Sequence, residues 1–421
     1  MSTITEPTTT QLPPPRSETG LVGWLRANLF SSGFNTVLTV VVGALAGWAL
    51  WFGLLWLFVD SDFTVIKTLG GLLLIGQYNS EQACGEARNC FWRPQVALLL
   101  VTLMLGMSWA VAGGGLTKRI AILVTVVVAL FAFLPYSLER MGWDVRLLLV
   151  ANVPALLLGW ALARYTALGT WRWVAILAVV AFLLTLVLLR GLPGVPGLQP
   201  VSLLYWGGLM LNLLLAVAGI VVSFPIGIAL ALGRRSRLPV VKLLCVVFIE
   251  VFRGVPLITL LFMSQVLVPL AFPENFPLDS LLRAAIIITL FSAAYTAENI
   301  RGGLQALHPG QAEAARALGL PGWQTTLLIS LPQAIRNVIP AIVGQFIALF
   351  KDTSLVYIIG MLDIVELSRK FATSHVENGM LPYLDDVHEV FIFLAVVFWI
   401  FCFGMSYVSG RIERHLGVGE R

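Results

Sequence analysis

Charge is what this sequence has least of. Only 12% of its 421 residues are Asp, Glu, Lys or Arg, against about 25% in an ordinary soluble domain. Charge this sparse leaves too little polar surface to cover a globule. Histidine and cysteine are scarce too, with four of each. The histidines are scattered and no C-x-x-C occurs, so no metal site is expected. A Walker A loop needs G-x-x-x-x-G-K-[ST] to cradle phosphates, and the chain contains no Gly-Lys pair. That excludes an ATPase of this type. Nor does any serine, histidine and acid arrangement point to hydrolysis.

What the chain has instead is long apolar runs. It is 58% hydrophobic, with mean hydropathy +0.89. A membrane span needs about 20 apolar residues. With charges as fence posts, ten runs qualify. The first covers 34–59. Arg93 to Lys118, Arg119 to Glu139, Arg146 to Arg164 and Arg172 to Arg190 enclose four more. A sixth covers 201–233. The last four lie in "VPLITLLFMSQVLVPLAF", "LLRAAIIITLFSAAYTAENI", "LLISLPQAIRNVIPAIVGQFIALF" and "VFIFLAVVFWIFCFGMSYVSG". The expected fold is an all-α integral membrane protein with about ten transmembrane helices. Residues 1–33 open with a polar, Thr- and Pro-rich stretch and read as a disordered cytoplasmic tail. It lacks the charged and apolar regions of a signal peptide. Residues 34–195 hold five spans with little polar chemistry. After the break "GLPGVPGLQP", residues 196–416 carry polar groups in and beside the apolar runs, so function should concentrate there.

Ten spans put both termini on one side. If that side is the cytoplasm, it receives most of the basic residues, including Lys118, Arg119, Arg234, Arg235, Arg237 and Arg301, as the positive-inside rule requires. Trp24, Trp92, Trp143, Trp171, Trp173, Trp206 and Trp323 fall near span boundaries, where they can anchor at the interface. The same orientation puts Cys84 and Cys90 outside, in an oxidising compartment and close enough for a disulfide. Two free thiols in a loop is the other reading.

Between the eighth and ninth spans lies "GQAEAARALGLPGW", Gly310 to Trp323, within a cytoplasmic loop over 305–323. Pro309 and Gly310 punctuate its start. Gln311 to Leu318 are strong helix formers. Glu313 falls in the first turn, where its charge suits the helix dipole. Gly319 suits a left-handed cap and Pro321 stops the helix. A helix of about two turns is marginal alone in water. Its alanines would let a partner's backbone approach closely, so it reads as a docking knob or as a plain connector.

Other polar residues stand out near the spans. Glu250 and Arg253 are three apart and share a helix face. Ionisable groups at such a depth mark a pathway, a gate or a structural ion pair. Gly254 and Pro256 should bend the helix there. Glu298 and Arg301 repeat the spacing and read mainly as support for the loop. Gln345 is a polar residue inside the ninth span. Lys351, Asp352, Thr353 and Ser354 follow it and form either a gate with its substrate passage or an external helix cap.

The wider pattern around the loop is specific. Glu313-Ala314-Ala315, Gly319, Ile329 and Leu331-Pro332 fall at the spacing of the EAA signature. In these residues the chain resembles the permease subunits of type I ABC importers. "FIEVFRGVPLITL", "SAAYTAENIRGGLQAL" and "FIALFKDTSLVYIIG" look like the polar and general L-amino-acid branch. The resemblance covers about 201–416. It implies that Gly310, Glu313, Ala314, Ala315, Leu318, Gly319, Ile329, Leu331 and Pro332 form a coupling loop seated in a separate ATPase subunit, which binds the ATP and Mg. It implies that the last five spans are the permease core, that a periplasmic binding protein delivers an amino acid, and that a sister permease or a second copy completes the pore. It also implies a bacterial inner-membrane location, no cofactor on this chain and no bond chemistry by it. An ion-coupled secondary transporter is the alternative, although no ionisable relay or inverted repeat is visible.

Overall fold

The structure is a computed structural model describing residues 20–61, 63–79, 83, 90, 92–133, 143–195, 198–271, 278–377 and 387–416. It divides into two compact units, up to Asp62 and from Phe63 onward. Among the described residues the regular structure is helical, with one isolated backbone bridge.

The first unit holds α1 (Gly20–Asn28) and α2 (Gly33–Leu55), which a turn of π-helix extends to Asp60. The helical α1 corrects the expected disordered stretch: 20–28 lies inside it, while 1–19 lies outside the described residues. Ser32 caps α2 by accepting the Asn35 N–H at 3.2 Å, a strong helix-start signal. The 28 residues from Gly33 to Asp60 have a mean hydropathy of 2.0 and bury none of their apolar window. A helix apolar all round is a membrane span.

The second unit begins with α3 (Thr64–Ile75), α4 (Trp92–Ala112) and α5 (Gly115–Phe131). Next come α6 (Trp143–Val150), α7 (Asn152–Tyr165) and α8 (Trp171–Arg190). The expected fourth span is thus α6 and α7 in succession, 145–165 overall. α4 packs against α7, where the Thr102 hydroxyl hydrogen-bonds the Asn152 amide oxygen. The third expected span is α5, whose 17 residues sit at the lower limit of about 17–25 for crossing a bilayer.

The later helices are α9 (Gly208–Arg234), α10 (Pro239–Gly254), α11 (Leu257–Ala271) and α12 (Ser280–Gln305). They continue with α13 (Gly310–Ala317), α14 (Leu331–Asp352), α15 (Ile364–Glu377) and α16 (Val387–Leu416). Among the described residues, eight helices are long and apolar enough to cross a membrane, and the pair α10–α11 makes a ninth if it is one bent span. Its bend is 106°, at the break before Leu257, where Gly254 and Pro256 were expected to bend the chain. With α5 these are the ten runs read from the sequence.

α9 and α12 form the centre. They meet through small residues, Ser223 and Gly227 against Ser292, Ala293 and Thr296, and the Ser292 hydroxyl donates to Ser223 at 3.2 Å. Lipid gives no hydrophobic drive to helix pairing, so close van der Waals packing of small side chains does that work, with each hydrogen bond adding about 0.6 kcal/mol. α3 does not span. Its Leu73 is fully buried in a cluster with Leu209, Phe350, Leu362, Ile364 and Leu394, so the N-terminal stretch supplies part of the later helices' core. Arg93 donates across that junction to the Gln199 carbonyl at 2.9 Å, and the Tyr78 hydroxyl ties the chain just after α3 to α8 through the Leu189 carbonyl at 2.7 Å. Burial pushes the Tyr78 phenol up to about 12, against the pull of Arg93. Trp206 is 4% exposed inside this region, so it is a core residue and not an interfacial anchor.

Candidate functional site

Two polar clusters occupy opposite ends of the α9–α12–α14 core, and the 305–323 loop hangs from one of them. That loop end is built first by α13. The His308 ring accepts the Gly310 N–H at 3.1 Å, and Glu313 stands in the first turn. The Leu318 N–H returns to the Ala314 carbonyl at 3.1 Å and the Gly319 N–H to that of Arg316 at 2.9 Å. Gly319 takes φ 78°, a left-handed value that costs other residues about 1–2 kcal/mol. Ala315 is 2% exposed and roots the helix, whereas Glu313 and Ala314 are exposed, and Leu318 is 81% exposed. The knob therefore presents an acid, an alanine and a leucine outward.

Beneath it, Thr325–Ser330 winds as π-helix, with the Leu331 N–H bonded to the Thr326 carbonyl. Pro332 explains the widening: it has no N–H and its ring crowds the carbonyl four residues back. Ile329 is half-buried, Leu331 is buried and Pro332 exposed. Leu331 joins Ile300, Leu304 and Ala334 in one cluster. A Cβ on Gly303 would come within 2.6 Å of the Ala334 carbonyl oxygen. Glycine there is what allows α12 and α14 to touch directly under the loop.

Beside the loop lies an ion network on Glu298. The Arg301 Nε donates to both of its carboxylate oxygens at 2.9 Å. Arg234, from the end of α9, reaches it at 3.4 Å and Arg253 at 3.9 Å. Glu250 does not pair with Arg253, as their i, i+3 spacing had allowed; its partner is Arg234 at 3.0 Å. Three elements are thus tied through one carboxylate.

At the opposite end, Asp363 is fully buried ahead of α15 and accepts the backbone N–H groups of Val365 at 3.2 Å and Glu366 at 3.0 Å. Asn212 of α9 donates to Asp363 at 3.4 Å and to the Thr353 hydroxyl at 3.2 Å, and accepts the Ile364 N–H at 3.2 Å. Burial raises the Asp363 carboxyl to about 6, while its backbone and Asn212 donors pull it down. Beside it, Glu366 is 4% exposed and pairs with Arg369 at 2.9 Å.

The residues named for a gate are therefore divided. Glu250, Arg253 and Glu298 lie at the loop end. Thr353 is fully buried in the opposite cluster, where α14 gives way to a 3₁₀ stretch, Thr353–Ile359. Lys351 is exposed, Asp352 and Ser354 are half-buried, and Gln345 is half-buried within α14. Cys90 is disulfide-bonded, and Cys84 lies outside the described residues. Cys245 and Cys402 are free. Among the described residues no group of three or more His, Cys, Asp or Glu comes together to hold a metal. Sequence reading missed Arg234 as the hub's second arm, Gly303, Asn212 and Asp363. Arg234 and Gly303 had signals in "GRRSR" and the Gly302-Gly303 pair. Asn212 and Asp363 had none, because they are 151 positions apart.

A multi-pass helical core with a short capped helix slung beneath its central spans defines a helical integral membrane protein. Residues 223–418 match the family described as binding-protein-dependent transport system inner membrane component. Over 96% of this chain and 95% of its own length, the glutamate/glutamine/aspartate/asparagine transport system permease protein BztC of Rhodobacter capsulatus is 35% identical. The inner membrane amino-acid ABC transporter permease protein YhdY of Escherichia coli is 46% identical over 59% of this chain and 66% of that protein. The chain belongs to this family and is an amino-acid ABC transporter permease of the inner membrane. That sets aside the ion-coupled alternative. Among solved structures, an amino acid ABC transporter is 28% identical, covering 48% of this chain and 90% of its own, with TM-score 0.42. A methionine ABC transporter in an inward-facing form is 20% identical with TM-score 0.36.

Proposed function

We propose that this permease imports L-amino acids delivered by a periplasmic binding protein, driven by a separate ATPase dimer that grips the 305–323 loop. The observation that carries this reading is the loop itself: a rooted, capped α13 whose outward face is Glu313, Ala314 and Leu318. The EAA residues fall in α13 and its cap, in the π-helical turn beneath it and at the start of α14. Movement of α13 reaches α12 and α14 through Ala315, Leu331 and the Gly303 contact. ATP and Mg belong to the ATPase, and this chain carries no bond chemistry. The loop end faces the cytoplasm, because Arg234, Arg235, Arg237, Arg301, Arg316, Arg411 and Arg414 gather there and cytoplasmic loops are rich in Lys and Arg. Both termini lie on that side, Cys90 pairs with Cys84 outside, and a sister permease completes the pore. The Rhodobacter relative is named for glutamate, glutamine, aspartate and asparagine, and we assign this chain the same class of cargo. We assign Lys351, Asp352, Ser354 and Gln345, none of them fully buried, to its passage.

A cysteine at Leu318 tests the docking. Cross-linking of L318C to the ATPase in membranes supports it. Labelling of L318C by a bulky thiol reagent with no loss of uptake overturns it.

A further inference from the structure

A cavity of about 420 Å³ opens at the loop end, lined by Arg234, Arg235, Lys242, Val246, Arg301 and Gln305. Its charge is unbalanced. Glu298 and Glu250 engage Arg234, Arg253 and Arg301. Arg235 and Lys242 are exposed and have no carboxylate partner among the described residues. The cavity is therefore a concave cationic site built from the ends of α9 and α12 and one face of α10.

α10 says what kind of anion reaches it. Val240, Leu243, Leu244, Val247 and Val251 recur at helical spacing and are each about half or more exposed (66%, 62%, 64%, 50% and 49%). Lys242, Val246, Ile249 and Arg253 occupy the other face, where Ile249 is fully buried. The helix meets the 15-residue α11 at 106°, so with α11 upright in the bilayer α10 lies close to the membrane plane. An amphipathic helix so placed buries its apolar face among acyl chains and keeps its basic face at headgroup depth. A ligand with a phosphate on an acyl-bearing body fits both faces at once.

We infer that this cavity binds the headgroup phosphate of an anionic phospholipid, with Arg235 and Lys242 as its free cations and the lipid's acyl chains lying along the outer face of α10. The Glu298 network forms the back wall and keeps Arg234 and Arg301 in place. Lipid occupancy would fasten α10 at the interface beside the moving loop.

Native mass spectrometry of the full chain in mild detergent tests this, with lipid retention and not uptake as the readout, so it stands apart from the transport reading. Phosphatidylglycerol is expected to be retained in preference to phosphatidylcholine. R235Q/K242Q should weaken that retention about 30-fold, at roughly 1 kcal/mol per interfacial cation. R235K/K242R should restore it. R411Q/R414Q, at the same end but outside the cavity, should stay within about threefold of the parent. Equal retention by R235Q/K242Q and the parent overturns the proposal, as does equal loss in R411Q/R414Q. Displacement of the lipid by millimolar inorganic phosphate moves the site to a soluble anion and overturns the lipid assignment.

Discussion

The two ends of the core handle buried polarity in opposite ways. At the loop end, one carboxylate holds three arginines from three helices, and each partner keeps some contact with solvent, from 19% for Glu298 to 33% for Arg253. At the far end, Asn212, Thr353 and Asp363 are all fully buried and bonded to one another or to backbone. Ion pairs that keep contact with water are screened and contribute little, about 0–1 kcal/mol each when well exposed, and three arginines sharing one carboxylate can trade places around it. A buried hydrogen-bonded cluster is costly to break, about 1–3 kcal/mol per orphaned group. One end is suited to movement and the other to holding. The 305–323 loop, proposed to dock the ATPase, hangs from the end with the water-accessible pairs.

The comparison breaks most visibly in transport. Gly319→Val forces a β-branched residue into φ 78° and Gly303→Val separates α12 from α14. Each should reduce uptake to background in a transport assay while membrane levels stay near normal. Normal uptake in Gly303→Val would remove the link from loop to core. Next in size is the far end. Asn212→Leu leaves the Ile364 N–H unpaired and takes one of three donors from Asp363, and should lower stability by about 1–3 kcal/mol in thermal unfolding. The pH dependence sharpens the same contrast. Asp363 titrates near 6 in the fold against an ordinary 3.8, so the folded state holds the extra proton between these values. Stability should fall as pH rises from about 4 to about 6, by at most about 3 kcal/mol. Asp363→Asn should flatten that slope. The smallest effect belongs to Glu250→Gln, which loses one 54%-exposed pair with Arg234 and should cost under about 1 kcal/mol. Glu298→Gln should cost more, because three arginines lose their common partner.

How much of this was legible follows from distance along the chain. The loop was read almost residue by residue, since Pro309, Glu313, Gly319 and Pro321 act on their immediate neighbours. The apolar runs fixed the helices for the same reason, down to the break before Leu257. α3 escaped: twelve mostly apolar residues are too few to span, and nothing local says that Leu73 will be buried against Leu209 and Ile364. The i, i+3 rule correctly joined Glu298 to Arg301 and wrongly offered Arg253 to Glu250. Arg234 comes from another helix and reaches both acids, at 3.0 Å and 3.4 Å. Periodicity within one helix carries no information about an arginine on the next.

The central claim is that this chain conducts amino acids only when an ATPase drives its loop. The most direct measurement is uptake of labelled glutamate and glutamine by proteoliposomes holding this permease, its sister permease and the ATPase, with the binding protein outside and ATP inside. The account predicts uptake that requires every component and disappears with Gly319→Val. Accumulation by the permease alone, driven by an ion gradient without ATP, would contradict it.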